Sequence, residues 1–404
     1  MVHAVDAETG EGLWKFRADD HPAAKITGSV VMDTQGGRLI VPVGSFEETF
    51  PATKTYECCT SQGSLLALDP ETGDQIWKTY SIPNRPKPVR KSAIGTQLYG
   101  PAGAGIWVAP TLDYKRGLAY VGTANGYIDV PDGGSSDAII AFDLETGERR
   151  WSTQLLAGDM NCVDDPETDE FGRSNCGDPR VAGQSAGAND DISGSPILST
   201  LPSGRQILIA GQESGRITAL DPDADGAVLW VKNTHDAPQW PNGSGLGAAT
   251  DGDLYYRGIA TCPALNLARN PGACKPVETG AMVALNAATG EEVWSTLHAK
   301  PADCRDPEAN SCSGGIFGAV TVIPGVVFAG AKDGTLRAYS THDGEILWEY
   351  KTMREYETVN GVRAKGGSIG GHGPTIVDGM LFMGSGYNLF QTAAGNVLLA
   401  FEVE

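Results

Sequence analysis

Ala67-Leu68-Asp69-Pro70-Glu71-Thr72-Gly73-Asp74-Gln75-Ile76-Trp77 is the stretch on which the whole chain is organised. A small residue and an apolar residue lead to an Asp; variable residues follow, then Thr-Gly, then Trp. An apolar strand ends at the Asp. Thr-Gly makes a hairpin turn, with Gly supplying the positive φ that such turns require. The next strand opens with Trp, whose large apolar face packs between neighbouring sheets. Two close copies run from Ala4 to Trp14 and from Ala141 to Trp151. Looser copies end at Trp230, Trp294 and Trp348, and a half-copy, Leu398-Leu399-Ala400-Phe401, comes last. The copies stand about sixty residues apart, long for one unit and accounted for by loop insertions.

Before each copy lies another strand pair, such as Gly117–Gly122 or Gly325–Gly330. Four short antiparallel strands per repeat, with no helical periodicity between them, predict an all-β β-propeller of four-stranded blades. A β-sandwich array also uses periodic Trp, but the connections here are more regular than that. Six of the eight tryptophans belong to the repeat and are assigned a structural role. About seven partial or complete blades are visible, and the sequence begins and ends mid-blade. Propellers close by pairing strands from both termini. The expectation is therefore a single domain over 1–404, incomplete at its N-terminus, with eight blades in a full-length protein.

The formal net charge of −20 repels nucleic acid and anionic lipid, so neither is an expected partner. It serves as a solvated coat or as a docking field for a basic electron-transfer partner. No segment approaches the ~18 apolar residues of a membrane span. No signal peptide is visible, since Met1 leads straight into the first repeat. The eight cysteines fall in local pairs: Cys58/Cys59, Cys162/Cys176, Cys262/Cys274 and Cys304/Cys312. The last three pairs bracket polar loops and are expected as disulfides in an oxidising compartment, periplasmic or secreted. Zinc is the alternative, without CxxC or HxxxH spacing to favour it. There is no CxxCH, hence no c-type haem attachment in this chain.

Four stretches sharpen the reading: Cys58-Cys59-Thr60 before Gly63–Asp69, Gly95–Trp107, Ser193–Leu198, and Thr358–Ser368 with Gly395–Phe401. Together they resemble the pyrroloquinoline quinone-dependent alcohol dehydrogenases, most of all the polyvinyl-alcohol dehydrogenase branch. The resemblance implies a periplasmic quinoprotein that oxidises secondary alcohols, of a polymer or a small diol. It also implies calcium or a similar divalent ion, and a cytochrome c as electron acceptor.

Residue by residue, the resemblance assigns the quinone-stacking role to Trp107, with Asp113 completing its motif. Asn125, in Gly122-Thr123-Ala124-Asn125, becomes a calcium ligand. Asp191, in Asn189-Asp190-Asp191-Ile192-Ser193-Gly194, becomes the catalytic base and a further metal ligand. Glu47, or else Glu48, becomes the carboxylate that completes the metal site. The chemistry is coherent: a planar quinone needs an aromatic face, and calcium takes hard oxygen ligands. A divalent ion polarises a carbonyl, and an Asp accepts the alcohol proton. The plainer alternatives are a core Trp and a loop-capping Asp.

Adjacent Cys58 and Cys59 are expected with Cα atoms ~3.8 Å apart, below the usual disulfide range. Related enzymes carry a vicinal disulfide against the cofactor on a different stretch, which makes this pair a cofactor-binding candidate; two separate thiols are the alternative. One departure stands out. The family places Lys or Arg, bonding the quinone oxygens, where this chain has Glu213 in Gln212-Glu213-Ser214-Gly215. A carboxylate there repels a tricarboxylated quinone. The second reading is accordingly a cofactor-free propeller acting as a protein-binding platform.

Overall fold

A computed structural model describes residues 1–47, 56–91, 95–128, 130–159, 190–234, 244–260, 279–299, 313–387 and 393–402. Among the described residues the structure is all-β, and no helix is long and apolar enough to cross a membrane. The chain divides into two compact units: Met1–Pro196 with Asp221–Ala227, and Ile197–Leu220 with Val228–Glu404.

In the first unit, Val2–Val5 and Gly12–Phe16 form a two-stranded sheet. A five-stranded sheet follows, built from Ala24–Lys25, Val31–Asp33, Arg38–Ser45, Ser64–Leu68 and Gln75–Tyr80. Next comes a four-stranded sheet of Thr111–Asp113, Leu118–Gly122, Ala138–Asp143 and Arg149–Gln154. In the second unit, three sheets have four strands, beginning at Ile197, Ser244 and Thr321, and the last has three, beginning at Thr375. Within the four-stranded sheets each strand pairs antiparallel with its sequence neighbour, the blade pattern expected from the repeat. The six cysteines from Cys162 to Cys312, with Glu48, Asn189 and Trp240, lie outside the described residues.

The repeat explains how sheets stack. Asp69 ends its strand and accepts the Thr72 N–H at 2.8 Å, closing the turn; Asp143 does the same with Thr146 at 2.9 Å. Trp does not open the following strand, as the sequence suggested. It is the third residue, in Gly12–Phe16, Gln75–Tyr80 and Arg149–Gln154 alike, because the turn's two-residue exit is already paired. From there its indole crosses to the turn of the next sheet. Trp14 Nε1 donates to Pro70 O (3.0 Å) and Trp77 Nε1 to Leu144 O (3.2 Å). In the second unit Trp230 reaches Ala287 O (3.1 Å) and Trp294 reaches Thr341 O (3.0 Å).

The turn glycine is required twice over. Gly147 has φ +71°, and a Cβ on it would lie 2.5 Å from the Trp77 ring. Two residues past Trp, Thr79 Oγ1 donates to Gly147 O (2.7 Å), and Thr153 Oγ1 to Gly226 O (2.8 Å). Arg38 pairs with Asp33 (3.2 Å) and reaches Glu145 (2.9 Å) in the next turn. Apolar cores fill the spaces between consecutive sheets, as with Ile40, Leu65, Trp77, Ile106, Val121 and Phe142 in the first unit. Trp348 is the exception: it is 37% exposed and meets the ring of Phe401 edge-on.

Candidate functional site

The candidate site of the first unit forms where strand Leu118–Gly122 runs out. Ile192 N donates to Thr123 O (3.3 Å), and Gly122 leaves room for the Ile192 side chain. That pairing sets Asp191 beside the next residues, and the Asn125 N–H donates to Asp191 Oδ1 at 2.9 Å. Asn125 is buried, and its Nδ2 donates to Gly126 O (3.2 Å). This bond orients the amide and leaves Oδ1 as its acceptor end. Ala104 N donates to Asn125 O (2.9 Å) and Ala124 N to Gly105 O (2.8 Å), which holds the Gly103–Trp107 segment alongside.

Two further acids surround Asn125, and the sequence reading did not single them out. Asp137 N donates to Ala124 O (3.0 Å), and Gly126 N donates to Asp159 O (3.3 Å). Asp159 Oδ2 in turn accepts the Asp190 N–H (2.7 Å). Residues 124, 125 and 126 therefore each hold one acidic residue by a hydrogen bond. Asp137 is fully buried, and neither of its carboxylate oxygens has a hydrogen-bond partner. Burial raises its pKa well above the ordinary range, and the charges of Asp191, Asp159, Asp190 and Asp132 push it further up. No pattern in the sequence marks it: Ser135-Ser136-Asp137 looks like an ordinary polar entry to a strand.

Trp107 is half-buried. Its carbonyl accepts Thr27 Oγ1 (3.0 Å), and its ring lies against the backbone of Gly44 and Gly105. Phe46 lies 4.7 Å away, centroid to centroid, tilted by 54°. Trp107 Nε1 is buried without a partner, an N–H donor still to be satisfied. Asp113, the other member of the Trp107 motif, has a structural partnership: it pairs with Arg116 (2.7 Å) and accepts the Tyr120 hydroxyl (2.9 Å).

Cys58 and Cys59 are joined by a disulfide and are both buried. Their peptide is cis, so the Cα atoms stand 3.0 Å apart, closer than the trans spacing expected from sequence. Tyr127 and Ala102 pack on the pair, and the Tyr127 hydroxyl donates to Ser45 O (3.0 Å). Tyr99 N donates to Cys58 O (2.7 Å), and Cys59 N donates to Tyr99 O (3.2 Å).

Glu47 lies beside this disulfide, fully buried, with a ligand atom within 4.8 Å of both sulfurs. Its oxygens accept from Tyr56 OH (3.0 Å), Thr60 N (3.0 and 2.9 Å) and Ser61 N (2.6 Å), and His21 Nε2 is 3.4 Å away. Burial alone raises its pKa, but the bonds from His21, Ser61 and Thr60 outweigh it and hold the carboxyl below its usual value. The bond to Glu47 raises the His21 pKa. Glu47 thus spends its lone pairs holding the 56–61 segment. Glu213 belongs to the second unit, half-buried in the turn between Gln206–Gly211 and Arg216–Asp221.

The oxygen donors around Asn125, with the unpartnered Asp137 carboxylate among them, suit a hard divalent cation. The face and unmet N–H of Trp107 suit a planar ligand with acceptor atoms. Over 99% of its length the chain is 40% identical to a polyvinylalcohol dehydrogenase of Pseudomonas sp, covering 60% of that relative. The chain is similar to this dehydrogenase along nearly all of its own length. A second polyvinylalcohol dehydrogenase, from Sphingopyxis sp. (strain 113P3), is 39% identical over 99% of this chain and 60% of its own. Residues 37–169 match the family model described as glucose/ethanol/alcohol dehydrogenase, beta-propeller domain, and residues 213–397 the one described as outer membrane protein assembly factor BamB. The solved quinohemoprotein alcohol dehydrogenase from Comamonas testosteroni superposes with a TM-score of 0.62 at 18% identity, covering 98% of this chain and 63% of that one. That likeness establishes the fold class, an all-β propeller type. The chain spans about 60% of the length of these two curated relatives.

Proposed function

We propose that this chain is the quinone-binding part of an alcohol dehydrogenase acting on secondary alcohols, of the polyvinyl-alcohol type, with a cytochrome c as electron acceptor in the periplasm or outside the cell. The bond between Asn125 and Asp191 carries the reading, because it joins the proposed metal ligand to the proposed base. Trp107 offers its ring for stacking and its Nε1–H for an acceptor. Asn125 Oδ1 and Asp191 offer oxygens to a calcium-like ion. Held by these residues, the quinone would supply the acceptor for the hydride equivalent of the alcohol carbon, and the ion would supply polarisation of the quinone carbonyl.

Asp191 receives the hydroxyl proton. The Asn125 N–H on Oδ1 keeps the carboxylate oriented and favours its ionised form. The Cys58–Cys59 disulfide and Tyr127 form a dry wall behind Glu47. The resemblance sets Glu213 at the sequence position where the family has a cation, and this together with the BamB-type match over 213–397 favours the second reading, a cofactor-free binding platform. An absorbance titration of the full chain with the quinone, with and without calcium, separates the two. Saturable, calcium-dependent binding supports the dehydrogenase; no binding under either condition supports the platform.

A further inference from the structure

We infer that Asp137 is a charged ligand of the divalent cation, taking the part that Glu47 cannot take because its oxygens are already bonded. This rests on the reading of Asn125 and Asp191 as a metal site. Asp137 and Asp159 through their main chains, and Asp191 through its carboxylate, are hydrogen-bonded to Ala124, Gly126 and Asn125, which places the three acids beside one short segment. The Asp137 carboxylate is fully buried and both its oxygens lack partners, although nearly every buried polar group in a folded protein has one. The neighbouring charges that act on it most strongly are those of Asp191, Asp159, Asp190 and Asp132, all acidic. A cation is the ligand that such a set recognises, and carboxylate and amide oxygens select a hard one.

Glu47 differs in the same respects. Its two oxygens already accept from Tyr56, Thr60 and Ser61, the Thr60 N–H being shared between them, with His21 beside them. A carboxylate so satisfied holds its own loop and has nothing left to present to an ion.

The test uses the full chain stripped of metal, without quinone, and calcium alone as probe, followed by calorimetry and by thermal melting. Asp137→Asn is expected to weaken calcium binding about ten-fold or more, since ligand charge sets calcium affinity. Without calcium the same variant melts no lower than the wild type, because it removes a buried carboxyl group whose oxygens have no partner. Glu148→Gln, an equal charge change on the exposed surface, leaves the affinity within about two-fold. Asp137→Ser repeats the test should the Asn variant fail to fold. Wild-type affinity in both Asp137 variants, with binding abolished by Asn125→Ala, overturns the role of Asp137 and leaves the metal site standing. No calcium binding by the wild type overturns both.

Discussion

The backbone N–H of Asn125 donates to Asp191 Oδ1 at 2.9 Å, across 66 residues of chain. A side-chain amide at position 191 can accept the same bond but cannot take a proton. Asp191→Asn should therefore keep the local geometry and lose the base. Turnover with a secondary alcohol should fall by about two to four orders of magnitude, while quinone affinity measured by absorbance stays within a few-fold. Equal losses of affinity and turnover would mean that Asp191 acts only by shaping the site.

The turn glycines separate backbone strain from packing. Gly10 and Gly147 have nearly the same φ, +75° and +71°, but a Cβ on Gly10 meets nothing within 4 Å whereas one on Gly147 would strike Trp77. Gly10→Ala should cost only the left-handed backbone term, about 1–2 kcal/mol. Gly147→Ala should cost a further 1–3 kcal/mol, roughly, from overpacking. Urea unfolding of the two variants measures the gap, and equal losses would remove the Trp-on-turn contact from the account.

His298 gives the second unit a pH dependence. It is buried, with Nδ1 2.8 Å from Gly314 O and Nε2 2.9 Å from the Tyr339 hydroxyl. Burial, then the Arg337 charge, lowers its pKa to about 4. The unfolded chain takes up this proton near pH 6.5 while the folded one resists, so stability falls as pH drops from about 6.5 to about 4. The loss attributable to this group is up to about 3 kcal/mol. His298→Gln, which does not titrate, should show a flatter profile in that window; an unchanged slope would contradict the assignment.

His21 has the opposite sign. Its pKa is raised by the bond to Glu47, so its stabilisation is fully present below the ordinary histidine value and is lost as pH rises through the raised one. The melting-temperature gap between wild type and His21→Gln should be wider at about pH 5.5 than at about pH 8.5. A gap that widens with pH would mean that Glu47 does not favour the protonated ring.

What was legible in the sequence was what repeats locally. Asp69, Thr72, Gly73 and Trp77 lie within nine residues, and turn chemistry fixes their roles wherever the chain goes afterwards. The partner of each Trp was not legible: Trp77 bonds Leu144 O, and nothing near Trp77 names that carbonyl. Trp107, Asn125 and Asp191 were found through motif resemblance, and the structure brings Asn125 and Asp191 into contact through the Ile192–Thr123 pairing. Asp137 and His21 were missed because a single Asp or His has no period. Their character comes from burial and from residues far away in sequence. Glu47 follows the Gly44-Ser45 pair that the resemblance points to, but what surrounds it, the 56–61 donors, depends on how that segment folds back.

The most direct test of the central claim is turnover by the full chain reconstituted with pyrroloquinoline quinone and calcium, given a secondary alcohol and an artificial one-electron acceptor. The account predicts alcohol-dependent reduction of the acceptor that requires both the quinone and calcium and is abolished by Asp191→Asn. Tight quinone binding with no alcohol-dependent reduction, or reduction that persists undiminished in Asp191→Asn, would contradict it.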